Sequence, residues 1–439
     1  MKYLVIYFII INFFAFMLYG ADKRKAKKNK WRVPESTLLF VALIGGGIGA
    51  YAGMKVWHHK TQKIKFRLLV PLFIIIWLAG GIYIAMGHPG IGENNTAPAE
   101  TADADFCDTE SADAKMEPVV TTDEITLAFA GDINFDDSWC NMVIYYERGE
   151  KLSNVIDEEY LELMRDADIF WVNNEFTYSD GGSPLDGKMY TFRAKPENVK
   201  LLKEMGADIV GLANNHVYDY GKEALLDTFD TLENAGILYV GAGENLDEAM
   251  SPVYIEKEGI TIAYVAASRA EKYKMTPQAT EEEPGILRCY DNTLFLEAIE
   301  EADENADYVI ALPHWGTEYQ AELEDAQING AKEYIEAGAD AVIGAHTHCL
   351  QGIGEYNGKP IVYSLGNFWF NEKTLETMLY EIHITIEKTT DEKGDSTSKI
   401  IDVETEIIPG MQEDYTTTPA KTEDEKEELL NYIYSLPTE

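Results

Sequence analysis

The chain is 439 residues long, with room for two domains or more. Its formal net charge of −40 is unevenly split: residues 1–87 hold 13 Lys/Arg against 2 Asp/Glu, residues 88–439 hold 23 against 74. A C-terminal part that acidic argues against nucleic-acid binding, which needs cations to displace counterions, and it repels polyanions unless bound metal or a local basic patch intervenes.

Residues 3–19 (YLVIYFIIINFFAFMLY) are apolar apart from Asn12, about the ~17–25 residues of a membrane helix. One lysine precedes them and a dense basic block follows, which favours an uncleaved anchor over a signal peptide. Residues 68–86 form a second span, and residues 37–54 a weaker one whose GGGIG centre can break a helix. Seven Lys/Arg lie between Lys23 and Arg32 and five between Lys55 and Arg67. Three full spans put these blocks on opposite faces, against the positive-inside rule, whereas a re-entrant 37–54 puts both in the cytoplasm. The re-entrant reading and one of the two three-span readings place residues 88 onward outside the cell. The expectation is therefore an all-α membrane module over 1–87, in contact with lipid, with the large domain extracytoplasmic.

Residues 88–122 are rich in Ala, Thr, Asp and Glu and poor in large apolar groups, so a disordered acidic linker is expected. Its reach as a coil is on the order of 30 Å. From Ile125 the pattern turns α/β. Strands are predicted at 125–130, 168–173, 208–212, 237–240, 260–266, 307–312, 341–344 and 361–365, and helices at 196–205, 221–235, 291–303 and 324–337. This alternation predicts a largely parallel sheet covered on both faces. Residues 378–387 and 399–408 alternate with period two and suit an antiparallel pair at the sheet edge, and 423–435 reads as an acidic helix. The expected units are 88–122 as linker, 123–372 as domain core and 373–439 as the strands and helix that complete it. Cys107, Cys140, Cys289 and Cys349 show no CxxC spacing and are expected as free thiols.

Polar residues gather where these strands end: Asp132 and Asn134, then Asn173-Asn174-Glu175, then Asn214-Asn215-His216 with Asp219 beyond. Later strands end in His314, with Glu318 just past it, and in His346-Thr347-His348. Strand ends are where open α/β sheets bind ligands. Imidazole with carboxylate and carboxamide suits Zn, Mn, Fe or Ni better than Ca, and one shared carboxylate can hold two ions roughly 3.5–4 Å apart. His383 lies in mid-strand and is read as structural.

Two resemblances follow. Residues 1–67 resemble a small family of uncharacterised bacterial membrane proteins, through Asp22-Lys23-Arg24, Trp31-Arg32-Val33-Pro34-Glu35, Gly45-Gly46-Gly47 and His59-Lys60-Thr61. Residues 125–371 resemble the calcineurin-type metallophosphoesterases, and more closely their capsule-synthesis branch, the poly-γ-glutamate synthesis proteins (CapA/PgsA). The matching stretches are AGDINF, NNEFTYS, ANNHVYDYG, PHWGTEY, GAHTHCLQGI and YSLGNFWF.

The resemblance implies a four-layer α/β/β/α sandwich and one or two divalent ions (Mn, Zn or Fe). Asp132, Glu175 and His348 would hold the first ion, with Asn134 where a histidine is usual. Glu175, Asn215, His314 and His346 would hold the second. His216 would be proton donor or charge stabiliser, with Asp219 orienting it. Glu318 has no implied role and stands as extra ligand, general base or surface carboxylate.

The implied activity is a metal-dependent hydrolase or transferase acting on an anionic surface polymer, poly-γ-glutamate by family, alongside other polymer-synthesis membrane proteins. A non-catalytic scaffold with a structural metal and a general surface phosphoesterase are the alternatives.

Overall fold

The computed structural model describes residues 11–19, 41–57, 119–271, 275–390 and 396–439, with positions 23, 38, 70, 71 and 73. The chain divides after Ser111 into two compact units. In the first, residues 11–19 are helical and a helix runs Gly47–Trp57. Between them Gly45 breaks the regular backbone at φ +113°. Asn12, the lone polar residue of the first apolar run, serves that break: its Nδ2 donates to Gly45 O at 2.8 Å and its Oδ1 accepts from Gly49 N at 2.7 Å. Among the described residues no helix is long and apolar enough to cross a membrane. Most of the predicted spans at 3–19 and 68–86 fall outside the described residues, as does the linker up to residue 118.

The linker reading is corrected at its end. Val119–Thr122 already belong to the first strand of the second unit, paired with Glu387–Thr390. β-branched side chains suit an extended, half-exposed ladder, so these four residues join the sheet although they bury nothing.

In chain order the strands begin with β1 (Val119–Ile133), β2 (Ile169–Asn174), β3 (Thr177–Tyr178), β4 (Arg193–Ala194), β5 (Ile209–Gly211) and β6 (Leu238–Val240). Then come β7 (Ala242–Gly243), β8 (Val253–Lys257), β9 (Ile260–Ser268), β10 (Gly285–Ile286), β11 (Tyr308–His314) and β12 (Ala341–Ile343). The last are β13 (Ile353–Tyr356), β14 (Lys359–Val362), β15 (Asn367–Trp369), β16 (Leu375–Thr390), β17 (Ser396–Glu413) and β18 (Thr416–Pro419).

One sheet runs β18-β17-β16-β1-β2-β5-β6, with β15 also pairing β1. Its β1-β2-β5-β6 half is parallel and its β16-β17-β18 half antiparallel. The other runs β13-β14-β12-β11-β9-β8, parallel in the middle with antiparallel strands at both edges.

Strand alternation sorts the side chains into layers. Ile125, Leu127 and Phe129 of β1 face Ile262, Tyr264, Ile310 and Leu312 of the second sheet, forming a core between the two sheets. Ala128 and Ala130 point the other way, under Tyr160, Leu161, Leu201, Leu225 and Phe229 from helices. Ala263 and Val265 of β9 likewise lie under helical Phe295, Ile299 and Tyr334. Helices Glu158–Asp166, Val199–Met205 and Gly221–Ala235 thus cover one sheet, and Thr293–Asp303 and Asp325–Glu336 the other. The result is the α/β/β/α layer order that the resemblance implies. Each large core side chain contributes about 1.5–3 kcal/mol by burial. Periodicity by itself implied one sheet, because strands of either sheet carry the same alternation.

Candidate metal centre

The five strands that carry site residues, β1, β2 and β5 in one sheet and β11 and β12 in the other, run parallel within their sheets, and this gathers their polar ends. Asp132 closes β1 opposite Asn367 of β15, and Glu175 follows β2. Close backbone approach makes this possible: a Cβ on Gly131 would lie 2.0 Å from Gly366 O, and Asp132 N donates to that same oxygen at 2.8 Å. Gly366 itself sits at φ +62°. His346 (φ +102°) and His348 (φ +56°) turn the chain left-handed just past β12. Such backbone is rare for residues with a Cβ and persists where the surroundings enforce it.

Two groups of ligand atoms result, each with all its atoms within 4.8 Å of one another: Asp132, Glu175 and His348; and Glu175, His314 and His346. Glu175 belongs to both. Its Oε1 lies 3.6 Å from His314 Nε2 and 3.8 Å from His348 Nε2, and His348 Nδ1 is 3.1 Å from Asp132 Oδ2. His314 Nε2 is 2.7 Å from Asn215 Oδ1. All of these residues are buried. Burial, then Asp132 beside it, pushes the Glu175 carboxyl well above the usual range. Burial, with neighbouring imidazoles, holds His314 and His346 well below theirs, which disfavours the charged imidazolium at both.

The residues fit a divalent metal. Asp132 Oδ2, Glu175 Oε1 and His346 Nδ1 are buried without a hydrogen bond. Buried polar groups are rarely left so, and two carboxylates side by side are costly without a cation. Ligand-type atoms of Glu381, His383 and Glu406 also gather on the outer face of the first sheet; there His383 Nδ1 lies 3.3 Å from Thr126 Oγ1.

His216 stands beside this centre. Its Nδ1 is 2.7 Å from Asp219 Oδ2, which also accepts from Phe192 N at 2.7 Å, and its ring packs on Phe192. Asn214 is a turn residue: its Oδ1 accepts from the backbone of His216 and Val217. Asn134 is buried, but its Oδ1 accepts from Asp136 N at 2.8 Å, and no hydrogen bond joins its side chain to Asp132, Glu175 or His348 among the described residues. Glu318 is exposed on the loop after β11, near enough for its charge to reinforce the rise at Glu175.

Three site residues had no role in the sequence reading. Asn173 Nδ2 donates to Asp132 Oδ1 at 2.7 Å and lies 3.4 Å from His314 Nδ1, so it touches both groups. Asn367 Oδ1 lies 2.9 Å from His348 Nδ1. Lys188 sits against Asp219 at 2.7 Å. The strand-end position of Asn173 and the YSLGNFWF stretch around Asn367 were visible signals, whereas Lys188 had none.

Fold and site together define an α/β/β/α protein with a buried His/Asp/Glu centre. Residues 126–372, more than half of the chain, match the family described as bacterial capsule synthesis protein PGA_cap, and the chain belongs to that family. Residues 12–66 match a family described as protein of unknown function (DUF1294).

Among relatives, the chain is 34% identical over 215 residues to the PGA biosynthesis protein CapA of Bacillus subtilis (strain 168), covering 48% of this chain and 56% of that one. It is 36% identical over 197 residues to the capsule biosynthesis protein CapA of Bacillus anthracis, covering 44% and 47%. The chain thus spans about half the length of these curated relatives. A putative 5'-nucleotidase from Staphylococcus aureus, solved in complex with alpha-ketoglutarate, is similar at 13% identity and a TM-score of 0.34, over 71% of this chain and 58% of that one. A likeness of that degree carries no functional argument.

Proposed function

We propose that this protein is a membrane-anchored, extracytoplasmic, metal-dependent hydrolase or transferase acting on an anionic cell-surface polymer or its precursor. Poly-γ-glutamate is the polymer the family points to, and other polymer-synthesis membrane proteins are its expected neighbours. The observation that carries the reading is Glu175, one buried carboxylate common to two ligand groups.

Asp132, Glu175 and His348 would hold one ion, and Glu175, Asn215, His314 and His346 the other. Bound there, Mn, Zn or Fe supplies Lewis-acid polarisation and an activated water. The chain's own residues do the rest. Asn173 fixes Asp132, and Asn367 fixes the His348 ring. Asp219 holds Nδ1 of His216, leaving Nε2 for proton transfer at the reacting group. Glu318, exposed on the loop after β11, would meet substrate rather than metal. The basic blocks of the N-terminal part support the outward orientation.

The test is elemental analysis of the purified protein beside a hydrolysis screen of phosphodiesters, phosphomonoesters and γ-glutamyl peptides. Metal with turnover of one class supports the enzyme and names the bond. Turnover of phosphoesters alone supports a general surface phosphoesterase. A protein without metal or turnover sinks the enzyme reading. One observation favours the scaffold alternative: the first ion would have only one imidazole, since Asn134 stands where a second is usual and its oxygen already accepts from Asp136 N.

A further inference from the structure

Lys188 lies on the loop between β3 and β4 with its side chain only 5% exposed. Its ammonium meets three acceptors. It donates to the backbone oxygen of Asn215, lies 2.7 Å from Asp219 Oδ1 and donates to Glu271 Oε2 at 2.8 Å. Two of these contacts are hydrogen bonds and the third, to Asp219 Oδ1, is an ion pair, so the buried charge is matched from three sides. Its partners are the carboxamide ligand, the carboxylate behind His216, and a residue from the segment after β9.

Glu271 is held in place against its backbone preference. It sits at φ +59°, a conformation that a residue with a Cβ keeps only where its surroundings enforce it. Buried Arg288 enforces it, donating to the carbonyl oxygens of Ala270 (2.8 Å), Glu271 and Thr276 (2.7 Å). Thr276 Oγ1 in turn lies 2.9 Å from the same Asn215 oxygen and 3.1 Å from Glu271 Oε2. On the other side, the Lys188 loop is tied to Asp219. Leu185 N donates to its backbone oxygen at 2.9 Å, and Phe192 N donates to its Oδ2. A buried ammonium is costly unless paired and hydrogen-bonded, and here two segments of the chain are shaped to pair it.

We propose that Lys188 is a positioning residue. It binds the Asn215 backbone and Asp219 into one unit, which aims the Asn215 carboxamide at the ion shared with Glu175, His314 and His346 and keeps His216 seated on Asp219. The inference rests on the metal reading above. Groups that orient metal ligands are worth about 10–100-fold in metal affinity.

The experiment is a Co²⁺ titration of the metal-stripped full chain, followed by visible absorption and equilibrium dialysis. Lys188→Met is expected to lose about 10–100-fold in Co²⁺ affinity and to change the absorption band of the bound ion. Glu271→Gln keeps the lysine and two of its partners, and is expected to show a smaller loss of the same kind. Unchanged affinity and spectrum in Glu271→Gln, or in a folded Lys188→Met, overturns the clamp alone. Failure of the unmodified chain to take up Co²⁺ overturns the metal reading and the clamp with it.

Discussion

Nε2 of His314 lies 2.7 Å from Oδ1 of Asn215, a residue 99 positions earlier in the chain. Asn215 follows β5 in the first sheet, and His314 ends β11 in the second. The contact therefore ties the two sheets together at the centre, and both atoms are lone-pair donors of the kind a divalent ion takes. Relative movement of the sheets at this end would separate them.

The two ion positions are expected to differ in strength. Around Asn215, His314 and His346 two imidazoles contribute, whereas the Asp132 position has one imidazole and an Asn134 oxygen already bound to Asp136 N. A neutral carboxamide is a weaker donor to Zn, Mn or Fe than an imidazole. His314→Ala should lose bound metal more completely than Asn134→Ala, and Asn134→His should tighten the first ion without abolishing activity. Elemental analysis of the three variants checks the order. Equal loss from His314→Ala and Asn134→Ala would refute it.

His216 contacts Asp219 and Phe192, and neither ligand group includes it. His216→Ala should accordingly keep its metal and lose about 10²–10⁴-fold in turnover, the range of acid–base assistance. Metal content and rate are measured on the same sample. Full metal with full in-cell function in both His216→Ala and His314→Ala would hand the protein to the scaffold reading.

Gly131 has no room for a side chain, since a Cβ there would meet Gly366 O at 2.0 Å. Gly131→Ala should push β1 and the Gly366 turn apart, lengthening the Asp132 N to Gly366 O bond. Overpacking of this kind costs about 1–3 kcal/mol. Thermal unfolding should show that loss, and metal titration should show the Asp132 ion weakened more than its neighbour. A melting temperature equal to that of the unmodified chain would contradict the close approach.

The outward orientation is testable by thiol labelling of intact cells. Three cysteines are poor targets at neutral pH. Cys289 is buried and its thiol is pushed up to about 12 by that burial. Cys140 is pushed up to about 11 by burial and its hydrogen bond to Glu372, and burial also raises Cys349. The thiolate is the reactive form, so a membrane-impermeant reagent should report chiefly on Cys107. Labelling before lysis is the expected result. Labelling only after lysis would reverse the topology.

The sequence by itself determined the strand–helix order of the C-terminal unit and the polar residues at its strand ends. Apolar runs and their polar stops are local features, which backbone geometry turns directly into elements. The helices at 221–235 and 423–435 coincide with the predicted spans. The break at Gly45 was equally legible, because glycine is the residue that reaches φ +113° without strain.

Only the tertiary structure divided the strands between two sheets, since both sheets use the same alternation of side chains. Only it showed that Asn134 turns its oxygen into its own loop, a choice made by the Asp136 N–H and invisible in residue type. It alone left Glu318 exposed and brought Lys188 to Glu271 across 83 positions of chain. Such contacts follow from how packed elements place their loops in space, and no local pattern of residues records that.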